Sequence, residues 1–222
     1  NLSTSVYFVV NDQFYNDQLP KAQLNDGIVV DSFSNAIKTH GEIITNHYAK
    51  LADTAKDALT AFNTMLAQDG LFVYVPKGVK SDRTIQVINI LRSDVDLMLN
   101  RRILIVLEEG AELSMLFCDD SADDRKFLAT QVIEAYVGDN AKLELNCLEE
   151  THLKNVRVSN VYIDQQSNSR VSHNIITLHN GVTRNKLDLT FSGEGSECFL
   201  NGCVVADKHQ HVDNNTVINH AV

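Results

Sequence analysis

The softest donors in the chain are four cysteines, Cys118, Cys147, Cys198 and Cys203. Gathered thiolates can bind iron or carry sulfur. None of these shows the C-x-x-C spacing of a local metal or redox motif. Cys198 and Cys203 differ by an odd number, so an unbroken strand sends them to opposite faces. All four are read as reduced thiols that pack as small hydrophobes, the usual place of free cysteine. A second group is His209, His211 and Asp213, with His220 beyond. On a strand the first three share a face, and imidazole with carboxylate can hold a transition metal. A polar edge awaiting a partner strand is the more ordinary reading, and these four residues are assigned to a subunit-interface edge. No catalytic, cofactor-binding or metal-ligating residue is assigned.

The remaining candidates carry less. His173 falls among apolar neighbours and reads as a core histidine with one hydrogen-bond partner. His152 and His179 read as turn or surface residues. Asp119, Asp120, Asp123 and Asp124 lack the order and closing glutamate of a calcium loop and read as a solvated loop. Glu149 and Glu150 are adjacent, so a strand points them apart, which does not suit a glycosidase pair. There is no G-x-x-x-x-G-K-[ST], G-x-S-x-G or H-E-x-x-H motif, so any ATP use belongs to a partner.

These residues sit within a repeating phrase. A polar turn ends on a small residue and leads into an alternating strand, starting at Ala111, Ala141, Ser169 and Ser196. The starts lie 30, 28 and 27 residues apart. Two positions on are Leu113, Leu143, Val171 and Cys198. Four on are Met115, Leu145, His173 and Leu200, and six on are Phe117, Cys147, Ile175 and Gly202. Positions two apart share a strand face, so each copy offers one inward row that corresponds from copy to copy. A second strand precedes each turn, at residues 103–107, 131–137, 156–164 and 187–191. A near-constant period of this length marks a solenoid. The reading is a parallel β-helix; an antiparallel sandwich would not require successive hairpins to match.

Before the repeats the pattern differs. Residues 6–10 and 13–15 flank Asn11-Asp12 as a small hairpin. Residues 24–26 lead to Gly27 and a strand at 28–30. Asp31 or Ser32 caps a helix from Phe33, interrupted at His40-Gly41 and resumed over 42–51. A second helix spans about 54–67, with Ala58, Leu59, Phe62, Met65 and Leu66 on one face. Gly70 is placed as its left-handed C′ residue. Strands follow at 71–75, 84–92 and 97–107, with a turn at 76–78. The division is therefore residues 1–69, a small N-terminal α/β region, and 70–222, the β-helix core. The strand pattern runs to Val222 with no polar cap, which reads as a core truncated at its C-terminal end. A net charge of −10 argues against nucleic acid and anionic membrane as partners. No apolar run is long enough to span a bilayer and no signal-peptide pattern opens the chain, so a cytoplasmic location is expected.

Three runs resemble a known family. Residues 62–79 (FNTMLAQDGLFVYVPKGV), 108–113 (EEGAEL) and 210–216 (QHVDNNT) occur in the order found in the SufB/SufD iron–sulfur cluster assembly proteins. The last run is closer to the SufD branch. Thr84 departs from the pattern, which has proline near there. The resemblance implies a mainly β, right-handed parallel β-helix. It also implies a non-catalytic SufD-like scaffold subunit that pairs with SufB and the ATPase SufC, with a homodimer as another pairing. The Fe–S cluster is handled by that complex, and no ligand is carried over to this chain. The alternatives are a SufB-type cluster-carrying subunit and, more remotely, a polysaccharide-active β-helix enzyme, although the chain has no Trp as a sugar platform.

Overall fold

The computed structural model describes residues 4–14 and 27–222. The expectations for Tyr15 and for residues 24–26 lie outside them. The strands are β1 (Thr4–Val10), β2 (Gln13–Phe14), β3 (Val29–Ser32), β4 (Leu71–Val75), β5 (Thr84–Leu91), β6 (Leu97–Leu107) and β7 (Glu112–Ser121). They continue as β8 (Phe127–Val137), β9 (Lys142–Glu150), β10 (Val156–Gln165), β11 (Arg170–His179), β12 (Val182–Phe191), β13 (Glu197–Val204) and β14 (His211–His220). Between β3 and β4 lie helices α1 (Phe33–His47) and α2 (Ala58–Leu66).

From β4 on, successive strands alternate between two sheets. One runs β2-β1-β5-β7-β9-β11-β13 and the other β3-β4-β6-β8-β10-β12-β14. Among the described residues, only the β1–β2 and β3–β4 pairs are antiparallel. The chain thus winds a parallel β-helix of about five coils, the architecture anticipated from the repeat. The register matches it row by row: Leu113, Leu143, Val171 and Cys198 are successive partners, as are Met115, Leu145, His173 and Leu200. The inward rows of both sheets merge into one apolar column that includes Ile105, Ile133, Val161 and Leu187. Each repeat begins just after a residue with left-handed φ: Gly110, Asn140, Asn168 and Gly195. Glycine and asparagine are the residues that adopt this conformation most readily, so the turn chemistry repeats along with the core.

Both helices pack on the outer face of the second sheet. Ser32 caps α1 by accepting from Asn35 N, and His40 is non-helical at φ −126°, ψ 26°, as its place before Gly41 suggests. Two expectations for α2 need correction. Asp57 caps it by accepting from Thr60 N at 2.8 Å, so residues 54–56 precede the helix. Gly70 has no positive φ. It is glycine because an added Cβ would lie 2.2 Å from the Arg102 carbonyl and 2.5 Å from the Phe33 ring. The docking face of α2 is also polar. Its buried residues are Thr60 and Asn63, while Met65 is 72% exposed. Asn63 donates to the Arg101 carbonyl (3.2 Å) and to Thr130 Oγ1 (2.9 Å), and Thr60 hydrogen-bonds the Tyr162 hydroxyl (2.8 Å). Edge-on hydrogen bonds to β6, β8 and β10 decided the orientation, which the apolar periodicity does not foretell.

The strongest tie is buried and ionic. Glu134 on β8 pairs with Arg102 on β6 at 2.5 Å, and both side chains are at most 1% exposed. The carboxylate also accepts from the amides of Ala49 (2.8 Å), Leu51 (2.9 Å) and Ala52 (3.0 Å). The Ala49 and Leu51 amides belong to the segment expected to be helical up to Leu51; α1 stops at His47, which leaves them free to donate. Arg102 lies over the Tyr48 ring at 4.9 Å and donates to Thr64 at 3.0 Å. Removing one partner of such a pair strands the other charge in the interior, at a cost of about 3–5 kcal/mol. Glu134→Ala is expected to lower unfolding stability by that amount in urea titration, with Arg102→Met in the same chain restoring much of it.

Candidate functional site

The interior of a solenoid ought to be apolar, yet the inward rows turn polar toward the C-terminal ends of β5, β7, β9 and β11. The row eight positions after the repeat starts reads Asp119, Glu149 and Thr177, with Asn89 beside Asp119. Facing it on the other sheet are Arg101, Gln131, Ser159 and Asn185, again in register. Arg157 stands one inward position before Ser159. All of these side chains are buried.

Asp119 is the hub. It accepts a forked pair from Arg101, at 2.7 and 3.0 Å, and a bond from Asn89 Nδ2 at 3.0 Å. Arg157 donates to its second oxygen. Gln131 accepts from Arg157 at 3.5 Å and donates to Ser159 at 2.7 Å. Burial, and then the neighbouring Arg101, pull Arg157 down to about 9. Further along, Glu149 accepts from Thr183 at 2.8 and 2.9 Å and from Thr151 at 3.3 Å. Burial pushes its carboxyl up to about 7 against the pull of those hydroxyls. Asp119, Cys147, Glu149, Arg157, His173 and Asn185 line a cavity of about 20 Å³, room for about one water.

The sequence-selected residues are placed as follows. Cys147 Sγ lies 4.0 Å from His173 Nε2, so this thiol is the partner of the core histidine. Burial holds His173 down at about 4 and pushes Cys147 up to about 12 and Cys198 to about 11. Thiols held protonated in this way are weak nucleophiles and weak metal ligands at neutral pH. Cys118 is half-buried on the outer face, and Cys203 is exposed, opposite Cys198 in orientation as its odd spacing requires. The exposure of Cys203 corrects the expectation that all four are buried; its parity on β13 turns it to the outer face. Glu149 is buried and Glu150 exposed, so they do point apart. Asp119 corrects the solvated-loop reading: β7 runs on to Ser121, and alternation carries Asp119 inward while Asp120 faces solvent.

His209 lies in the turn before β14, so it does not continue the strand face of His211 and Asp213. His220 has the opposite parity, at the far end of β14, and its ring meets Phe191 at 5.0 Å between centroids. The four residues share an edge but form no cluster. Among the described residues, no three His, Cys, Asp or Glu side chains converge as a metal site would need. The residues that sequence reasoning missed are Arg101, Arg157, Asn89, Gln131 and the inward Asp119. The available signal was parity: the rows counted to six positions after each start continue to eight.

A parallel β-helix with this internal register can be set beside known proteins. The description "SUF system FeS cluster assembly, SufBD core domain" matches residues 89–222, and "SufBD protein N-terminal region" matches residues 1–87. The chain belongs to the SufBD family. A SufBD family protein from Synechocystis, slr0074, is 30% identical over 126 residues, covering 56% of this chain and 26% of that protein. PH1385 of Pyrococcus horikoshii is 23% identical over 210 residues, or 92% of this chain and 45% of its own length. SufB of Bacillus subtilis is 29% identical over 111 residues, covering 50% of this chain and 24% of that protein. The chain therefore spans less than half the length of these SufBD relatives. No helix among the described residues is long and apolar enough to cross a membrane.

The buried Glu149 gives the SufBD coil a pH signature. Its folded pKa of about 7 lies above the ordinary 4.5, so the native state holds the proton more tightly than the unfolded chain. Its contribution is complete below pH 4.5 and is lost as pH rises through 7. Glu149→Gln is expected to match the wild type near pH 5 and to exceed it at pH 8, by roughly 2–3 kcal/mol. Denaturant titrations at the two pH values measure the difference.

Proposed function

We propose that this chain is a non-catalytic scaffold subunit of the cytoplasmic SUF machinery, SufD-like, which joins SufB and the ATPase SufC to build and transfer Fe–S clusters. The observation that carries the reading is the fit of the SufBD core description to residues 89–222, the same residues that wind the solenoid. The motif at residues 210–216 favours the SufD branch. A scaffold reading also suits the chemistry: the buried charged groups pair with one another, and the core thiols are held protonated. In this proposal residues 1–69 form one unit with the helices on the outer face, and residues 70–222 form the core.

The subunit contact is assigned to the end coil. Among the described residues β13 and β14 are the outermost strands of their sheets, and an outermost strand is where a further strand adds. His211 and Asp213 lie along β14, with Asp213 3.7 Å from Arg184; His209 flanks its start and His220 its end. A SufB-type role is the second reading, favoured by the match to the SufB of Bacillus subtilis.

Co-expression of the full-length protein with SufB and SufC homologues of the same organism, followed by the mass of the purified complex, tests the proposal. A stoichiometric assembly containing all three is expected. Displacement of SufB by this protein would move it to the SufB branch, and a monomer that binds neither partner would overturn the scaffold role.

A further inference from the structure

The polar column inside the coil is closed at one point by a side chain from the N-terminal hairpin. Asn11 and Asp12 form the β1–β2 turn with φ of 50° and 61°. Asn11 anchors the turn: its amide donates to the Ile90 carbonyl at 3.1 Å, and its side chain exchanges bonds of 2.7 and 2.9 Å with the Arg92 backbone. That anchor drives the Asp12 carboxylate inward against Arg101, where the two side chains are 7% and 6% exposed.

The fit is loose. Asp12 Oδ1 stands 3.8 Å from Arg101 Nε, beyond hydrogen-bond length. Asp12 Oδ2 and Arg101 Nε are both buried and have no hydrogen-bond partner. Leaving such atoms unmatched is costly, so the carboxylate is held by charge more than by contact. Two guanidinium groups, Arg101 and Arg157, share the single carboxylate of Asp119. Asp12 is the second carboxyl group facing them; burial raises its pKa against the pull of Arg101 and Arg157. On its inner side Asp12 lines a cavity of about 10 Å³ with Asn89, Arg101, Asp119, Gln131 and Arg157. On its outer side it lines an open cleft of about 510 Å³ with Gln13, Gln68, Asp69 and Met98. It is a stopper between the two.

We propose that Arg101 and Arg157 form a binding site for one small carboxylate, that Asp12 occupies this site as a built-in ligand, and that a free carboxylate reaching it from the cleft binds there when the Asp12 side chain is removed. The chemistry sets the class. The deficit is one negative charge, and the space is one planar carboxyl group plus room for about one water. A guanidinium fork matches a planar carboxylate. A tetrahedral, doubly charged phosphate exceeds both limits. This site is separate from the subunit contact and does not depend on the scaffold role.

The test is chemical rescue in the full-length protein. Asp12→Ala empties the position. Its thermal midpoint is followed as sodium formate replaces sodium chloride at constant ionic strength, with inorganic phosphate as a third arm. The expected result is a lowered midpoint in chloride and a saturable rise of several degrees in formate. Phosphate should give no such rise, and the wild type should show no difference between formate and chloride. Equal midpoints for Asp12→Ala in formate and chloride would overturn the proposal, as would an equal response to phosphate. If Asp12→Ala does not fold in chloride, its refolded yield in the two salts decides: recovery in formate supports the site, and equal failure removes it.

Discussion

One carboxylate held between two guanidinium groups in the dry interior of a β-helix is the interaction on which this structure turns. Asp119 on β7 is fixed by Arg101 on β6 and Arg157 on β10, with Asn89 on β5 as a further donor. Four strands from both sheets therefore meet at one group. Each charge alone would carry a desolvation cost of several kcal/mol; together they offset one another. The cluster is also a register lock. A slip of one residue in β10 would turn Arg157 outward, and a slip in β7 would turn Asp119 outward and leave the guanidinium groups unmatched inside.

Alternation gives the neighbouring residues a second task. Arg101 points into the coil, and Arg102 points out to Glu134 and the helices. Two consecutive arginines thus serve opposite faces of β6, one joining the sheets and the other fastening the helical layer. The Glu134 carboxylate accepts from three main-chain amides between α1 and α2, so the position of that layer follows from the position of the coil. The outcome suits a scaffold: the buried polar groups are spent on holding the coils and the outer layer together.

Much of the coil was legible in the sequence because the repeat imposes the same demands each time. The inward rows from Leu113, Met115 and Phe117 pair as their spacing requires, and every copy opens after a left-handed turn residue. The polar column was not legible by hydrophobicity, since Asp119 and Glu149 look like the start of a loop. Their parity was available, but it had to outweigh the cost of a buried charge, and the arginines that offset that cost lie 18 residues before Asp119 and 38 after it. The same limit applies to α2. Its apolar stripe suggested one docking face, but Asn63 and Thr60 found main-chain and hydroxyl partners on strands far along the chain. His220 could have been excluded from the face of His211 by its odd spacing alone.

The central claim, that Asp119 and its arginines form one coupled unit, is tested most directly by a double-mutant cycle of Asp119→Asn and Arg157→Met in urea unfolding. Asp119→Asn should cost about 3–5 kcal/mol, because it strands both guanidinium groups; Arg157→Met leaves the Arg101 fork in place and should cost less. The double variant should cost at least about 2 kcal/mol less than the sum, the range expected for directly coupled groups. Additive losses would show that the two residues act independently, and would contradict the account of the interior as a single coupled lock.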